Sequence, residues 1–370
     1  MGRSPERTLM SKEAAQAAGY RQGGFANGPL TGDTGKLHTN ITERILHMHF
    51  IDFHCDTLAL LYDQEIPEAS ADTASETNTL WDSRGHLDLT RLLDAGYLAQ
   101  FFACFVNMGN PPRAESHFAD ALAMCGILKG ALSYDSRAAL ARNRQEYQEN
   151  KDAGALSCFL TVEEGGILEN RLERLETLYR QGVRLLTLTW NYENCIGFSH
   201  KFSGRPDTGL KPFGFHVLEE MERLGILADV SHLSDEGFYD VYRHSRRPFL
   251  ASHSCCRALC GHSRNLTDDM IRKTGEHQGV VGVNFYGAFL QENGESTIEA
   301  IVRHIRHVIH TGGRQCAALG TDFDGMGGFL ELDGCEKMPR LAAAMEQAGF
   351  TTGEIEDVCF RNAERMLGFL

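Results

Sequence analysis

A histidine and an aspartate stand two apart where a short apolar run ends, in Phe50-Ile51-Asp52-Phe53-His54-Cys55-Asp56. In an extended chain, positions i and i+2 point the same way. His54 and Asp56 can therefore hold one cation together. Two adjacent acids end a second run, Cys158 to Val162, in Glu163-Glu164-Gly165-Gly166. Unpaired carboxylates are costly to bury; a cation offsets that cost, and the glycines let backbone and substrate approach closely. His232 and His253 each follow a serine at the end of the runs Gly225–Val230 and Pro248–Ala251. With a bridging carboxylate they make a His/His/Glu set suited to zinc. Asp322 ends a fifth run, Cys316–Gly320. A carboxylate there can take a proton from an activated water and return it to a leaving amine. Arg264 lies eleven residues beyond His253, and a fixed guanidinium can grip a substrate carboxylate in bidentate fashion.

Taken singly, each of these motifs has an ordinary reading: a polar pair at a strand end, a solvated turn, a surface arginine. Five apolar runs that all stop on a metal-liking residue point instead to strands delivering ligands to one rim, the layout of a metallohydrolase. His304, His307 and His310 form another set, at helical spacing. The apolar residues between them mark the buried side, so these three are expected at exposed or half-exposed helix positions.

The elements that must position these residues are legible as an alternation. Eight strands are expected at Phe50–His54, Leu98–Phe105, Leu156–Val162, Arg184–Thr189, Ile226–Val230, Phe249–Ser252, Gly279–Phe285 and Ala317–Gly320. Between them, Leu168–Gln181, Phe213–Leu224 and Thr297–His310 carry apolar residues at helical spacing. Gly182 and Gly225 follow two of these segments as C-cap glycines should. Met338–Ala348 and Gly353–Leu370 read as two closing helices. Strands alternating with helices imply parallel β/α architecture, and near-continuous apolar strands imply burial on both faces. The expected fold is a TIM-type (β/α)8 barrel with extra C-terminal helices. The runner-up, a doubly wound open sheet, would place its site at one switch point rather than draw ligands from the whole chain.

The chain has 370 residues and a net charge of −14. That charge argues against a nucleic-acid partner. No apolar stretch of about 18 residues suggests a membrane span. The 11 cysteines are odd in number, with no Cys-x-x-Cys, and several lie inside apolar runs; a reducing, cytoplasmic setting is inferred. Residues 1–47 have no apolar run before Ile45 and no secretory core, and Glu6 stands where a myristoylation signal needs Ser or Thr. They are read as a disordered or non-native extension, with Met48 as a candidate natural start, and 48–370 as a single barrel domain.

From about Phe50 onward the chain resembles the membrane (renal) dipeptidase family of dizinc peptidases. The resemblance is carried by Asp52-Phe53-His54-Cys55-Asp56, Glu164-Gly165-Gly166, Gly182 to Thr189, Asp229-Val230-Ser231-His232, Ser252-His253-Ser254, Arg264-Asn265, Val283 to Tyr286 and Gly320 to Gly325. It implies a TIM-type barrel with two zinc ions. His54 and Asp56 would hold one, His232 and His253 the other, and Glu164 would bridge them, leaving Glu163 behind the site or facing outward. Asp322 would be the catalytic acid/base, and Arg264 would hold the C-terminal carboxylate of the substrate. The implied reaction is zinc-dependent hydrolysis of L,L or L,D dipeptides by a metal-bridging hydroxide, and a homodimer is a further implication. One position departs from the pattern: where mammalian members carry a substrate-contacting histidine after Thr187-Leu188-Thr189, this chain has Trp190, followed by Asn191. Trp has one donor and no acceptor, so either Asn191 supplies the missing polar contact or the transition state is stabilised differently. The alternatives are another dizinc amide hydrolase, acting on a cyclic amide or lactam, and a non-catalytic metal-binding barrel.

Overall fold

The computed structural model describes residues 48–64 and 78–370, all within the compact unit Glu43–Leu370. The reading of residues 1–47 as an extension falls outside the described residues. Among the described residues there are nine strands: β1 Phe50–Asp52, β2 Tyr97–Phe105, β3 Ala138–Leu140, β4 Leu156–Glu163, β5 Val183–Thr187, β6 Leu227–Asp229, β7 Leu250–Ser254, β8 Val280–Val283 and β9 Ala317–Leu319. Eight of them close a ring. β1 pairs with β2, β2 with β4, and β4 through β9 follow in order back to β1, every pairing parallel. The expected (β/α)8 barrel is therefore the fold, and all eight expected strands lie in it. β3 was not expected. Only three residues long, it pairs with the start of β4 from outside the ring.

Alternation along each strand sorts side chains between the barrel interior and the helical layer. Ile51, Phe53, Phe101, Phe159, Leu185, Leu227, Leu250 and Val280 fill the interior, while Phe102, Leu160 and Leu186 pack outward under the helices. Phe101 stacks on Phe159 at 4.6 Å and tilts against Phe53 at 4.8 Å. Ala363, Met366 and Leu367 join the same interior cluster. They close the end opposite the histidine-bearing rim: Asn362 donates to the Ala317 carbonyl at 2.8 Å and Arg365 to those of Gly279 and Gln315, where β8 and β9 begin.

One expected helix changes. Leu168–Gln181 splits into a short 3₁₀ turn, Gly165–Leu168, and a helix, Glu173–Gln181. Glu169 and Asn170 lie in left-handed backbone between them, which no α-helix accommodates. Gly353–Leu370 is helical as expected, with a π turn set into it. It runs as Thr352–Glu356, a π turn at Asp357–Arg361, and Asn362–Met366. Gly182 and Gly225 cap their helices at φ 105° and 77° as expected. His304 is a correction: it is fully buried in the helix Ile298–Gly312, not half-exposed. Its Nε2 donates to the Leu290 carbonyl at 2.9 Å and its Nδ1 accepts from Cys256 N at 3.1 Å. Those two bonds satisfy a neutral imidazole, so it can sit on the apolar side of the helix. Among the described residues no helix is long and apolar enough to cross a membrane.

Candidate metal centre

The C-terminal ends of β1, β4, β6 and β7, with the turn after β9, bring His54, Asp56, Glu163, His232, His253 and Asp322 into one buried cluster. His54 Nε2 lies 3.3 Å from Glu163 Oε2, 3.5 Å from Asp56 Oδ2 and 3.9 Å from Asp322 Oδ1. The other Glu163 oxygen, Oε1, is 3.1 Å from His232 Nε2 and 3.5 Å from His253 Nε2. Those two imidazole nitrogens face each other at 3.0 Å. One carboxylate thus turns an oxygen toward each of two ligand sets.

The acid in that place is Glu163, not Glu164. Glu163 continues the inward face of β4, where Phe159 lies, four residues earlier. Glu164 leaves the strand in left-handed backbone, at φ 95°, and its carboxylate swings away from the histidines. There Oε1 accepts from Gly166 N at 2.6 Å and from Asn194 Nδ2, and Oε2 accepts from Trp190 N at 2.9 Å. Glu164 anchors the loop that carries Trp190 and Asn191. The expectation is reversed: the second acid holds the loop and the first faces the histidines. A signal for this was present. In β4 the even positions Leu156, Cys158, Leu160 and Val162 are all apolar, while Ser157, Thr161 and Glu163 share the odd face.

Charge balance in the cluster follows from burial and facing partners. Burial alone would press His54 down, but Glu163 and Asp56 outweigh it and hold His54 well above its ordinary value. Burial would raise Glu163, yet His54, His232 and His253 hold it well below the usual carboxylate range. His232 is pushed down to about 4 by burial and by Arg264. Asp322 is pushed up to about 7, first by burial, then by Asp56 and Glu163, against the pull of His54. Three carboxylates crowd one another, and the His54 imidazole that faces them offsets part of their charge when protonated. Buried His54 Nδ1, His54 Nε2 and Asp56 Oδ1 have no hydrogen-bond partner among the described residues, although buried polar atoms are almost always satisfied. Two ligand groups, His54/Glu163/His253 and His54/Asp56/Asp322, have donor atoms close enough to share an ion. Imidazole and carboxylate donors of this kind fit a borderline divalent cation such as zinc.

A polar layer behind the ligands fixes their orientation. Asp229 Oδ2 accepts from Thr187 Oγ1 and Ser252 Oγ, both at 2.6 Å. Having donated its proton there, Ser252 Oγ accepts from His253 Nδ1 at 2.7 Å, leaving His253 Nε2 free to bind. Asp52 accepts from Thr321 N, Thr321 Oγ1 and Gln100 Nε2 at 2.8, 2.7 and 3.1 Å, which sets the turn bearing Asp322. Asn284 Nδ2 donates to Asp322 Oδ2 at 2.8 Å. Sequence reading passed over Asp52, Asp229, Asn284 and His200. The first two carried a hint, each being an acid inside an apolar run. Glu164, His232 and Asp322 all sit at positive φ, 95°, 67° and 64°, where side chains other than glycine are strained.

A cleft of about 410 Å³ opens onto the cluster, lined by Asp56, Glu163, His232 and Asp322 and walled by Phe105, Trp190, Asn191, Tyr286, Phe289 and Met326. Trp190 is half-buried between Phe105, at 4.9 Å, and Tyr192, at 5.5 Å. Arg264 is buried. It donates to Ser254 Oγ at 2.7 Å and the His253 carbonyl at 2.8 Å, and its Nε has no hydrogen-bond partner among the described residues. A roomier hollow of about 600 Å³, lined by Phe215, Leu218, Glu219, Glu222, His244 and Arg246, shares no residue with the cluster and brings together no comparable ligand set.

The family model for membrane dipeptidase, peptidase family M19, matches residues 40–369. The chain belongs to the membrane dipeptidase family. It is by that membership a metallo-dipeptidase, and its histidine and carboxylate clusters are groups that could hold a metal ion. Among membrane dipeptidase relatives, an uncharacterised dipeptidase of Schizosaccharomyces pombe is 31% identical, over 76% of this chain and 71% of that one. A protein encoded in the pqqA 5′ region of Klebsiella pneumoniae, itself uncharacterised, is 32% identical over 65% and 92%. Among solved structures, a metallopeptidase of Rhodobacter sphaeroides, liganded with a phosphinate mimic of the dipeptide L-Ala-D-Ala, superposes with a TM-score of 0.75 at 29% identity, covering 87% of this chain and 99% of that one.

Proposed function

We propose that this protein hydrolyses dipeptides, L-Xaa–L-Xaa or L-Xaa–D-Xaa, with two zinc ions per chain. His54 and Asp56 would hold one ion and His232 and His253 the other, with Glu163 facing both sets. The observation that carries this reading is the split of the Glu163 carboxylate, one oxygen toward His54 and the other toward His232 and His253. When bound, the ions would supply Lewis acidity, to activate a water and to polarise the scissile carbonyl. The chain's own residues do the rest. Asp322, held by Asn284 at the cleft edge, takes the proton released by the attacking water and delivers it to the leaving amine. Arg264 binds the terminal carboxylate of the substrate with donors its two neighbours leave free, and so limits the substrate to two residues. The aromatic wall of Phe105, Trp190, Tyr286 and Phe289 receives side chains. The relative that binds a dipeptide mimic with a D-residue supports testing both stereochemistries.

A hydrolysis panel of L,L and L,D dipeptides, tripeptides and cyclic amides, with and without chelator, tests the reading. Chelator-sensitive cleavage of dipeptides and not tripeptides is expected, with metal analysis close to two zinc per chain. Cleavage of cyclic amides without dipeptide cleavage overturns it.

A further inference from the structure

His232 carries an unusual partner on the side away from the cluster. Its Nε2 faces Glu163 and His253, where the proposed ion would be held, so with that ion bound its proton resides on Nδ1. That Nδ1 lies 3.2 Å from Asn191 Oδ1. The same amide oxygen lies 3.0 Å from His200 Nε2. His200 Nδ1 is in turn 2.8 Å from Ser263 Oγ. His200 is buried, and its backbone N donates to the His232 carbonyl at 2.7 Å. The protons along this chain have one consistent arrangement: His232 Nδ1–H and His200 Nε2–H both donate to the Asn191 oxygen, and the Ser263 hydroxyl donates to His200 Nδ1.

An amide has two faces, and which one meets His232 decides the tautomer. If Asn191 turned its NH₂ inward, it would meet a histidine N–H with another donor, or force the His232 proton onto Nε2, where an ion must bind. With the oxygen held by two N–H donors, the NH₂ is left over. Asn191 lines the cleft, and its Nδ2 has no protein partner among the described residues. It is therefore free to donate to the substrate carbonyl.

We propose that His200 is a positioning residue: through Asn191 it fixes the ligating tautomer of His232 and turns the Asn191 amide N–H toward the bound peptide. This rests on the dinuclear dipeptidase reading above. Asn191 is the group that touches substrate, and His200, steadied by Ser263, orients it.

Four variants test this, each assayed for zinc affinity by competition with a chromophoric chelator and for kcat and KM on L-Ala–D-Ala. His200→Phe removes the donor to Asn191. Zinc affinity is expected to fall by about 10-fold or more, the range seen when an outer hydrogen-bond partner of a ligand is lost, and kcat is expected to fall more than KM rises. His200→Gln and His200→Asn separate positioning from packing. The Gln amide reaches the place of Nε2 and the Asn amide that of Nδ1, so Gln is expected to recover most of both readouts and Asn little. Asn191→Asp keeps the acceptor for His232 but loses the free N–H; zinc affinity is expected to stay within a few-fold while kcat falls. A folded His200→Phe protein with wild-type zinc affinity and kcat overturns the proposal. So do equal effects of Gln and Asn at position 200, a comparison that holds even if the Phe variant does not fold. If the wild-type protein cleaves no dipeptide, the dipeptidase reading fails, while the zinc competition still reports on His200.

Discussion

Two adjacent glutamates with the same side chain do different work because one backbone angle separates them. Glu163 ends a strand and faces inward; Glu164 has turned left-handed and faces the loop. Exchanging each for glutamine separates these tasks. Glu163→Gln is expected to lower zinc affinity by more than the 10–100-fold typical of an outer partner, and to abolish turnover. Glu164→Gln is expected to leave metal content unchanged. It would lose stability by about 1–3 kcal/mol, because an amide NH₂ would replace an acceptor of one of three donors; urea unfolding with zinc present measures this. Metal loss in Glu164→Gln, with full metal in Glu163→Gln, would reverse the assignment. Asp322→Asn is expected to retain metal and lose about 10²–10⁴-fold in kcat, the usual contribution of a proton carrier. An active Asp322→Asn variant removes Asp322 from that role.

Strands and helices were legible where apolar runs were long or caps were marked, and much less so where backbone geometry overrode pattern. The eight barrel strands announced themselves as apolar runs between helical segments. β3, Ala138–Leu140, is too short and bland to leave a pattern. The leucines at 168 and 172 suggested a continuous helix, but the backbone must first turn at Glu164 and again at Glu169, and side-chain spacing does not record such turns. His54, Asp56, His232 and His253, all expected at the rim, meet there, and they were readable because each stands where an apolar run ends. The acid facing the histidines was misplaced because its place before the two glycines was followed rather than the parity of β4, whose odd face carries Ser157, Thr161 and Glu163. His304 shows the same limit in a helix, since a polar residue on an apolar face is legible only once its two backbone partners are known. It also gives a pH test. Burial first, then Arg303 and His307, push His304 down to about 4, against the bond to Leu290. A folded-state pKa below the unfolded value of 6.5 means that the unfolded chain binds the extra proton. The stabilisation is therefore complete above about pH 6.5 and is lost as pH falls toward 4, on the order of 3 kcal/mol. Urea unfolding at pH 7, 5.5 and 4 should show a shallower fall for His304→Gln than for wild type. Parallel curves would exclude His304 as the source.

The candidate centre draws on β1, β4, β6, β7 and the turn after β9, so strands from most of the closed ring meet there. Ions bound at that rim stabilise the barrel as a whole, by about 2.7 kcal/mol when free zinc is 100 times its Kd. Scanning calorimetry should show a melting temperature higher by several degrees with zinc than with chelator, in a single transition. An unchanged midpoint would mean that no zinc is held at the rim. The left-handed turns at His232 and Asp322 have a consequence for anyone who evolves this protein. Each opposes folding by about 1–2 kcal/mol, and glycine or asparagine would relieve much of it. A laboratory selection that scores only survival of heating, without zinc or substrate present, would therefore enrich replacements at these positions. It would deliver a sturdier barrel that no longer cuts anything.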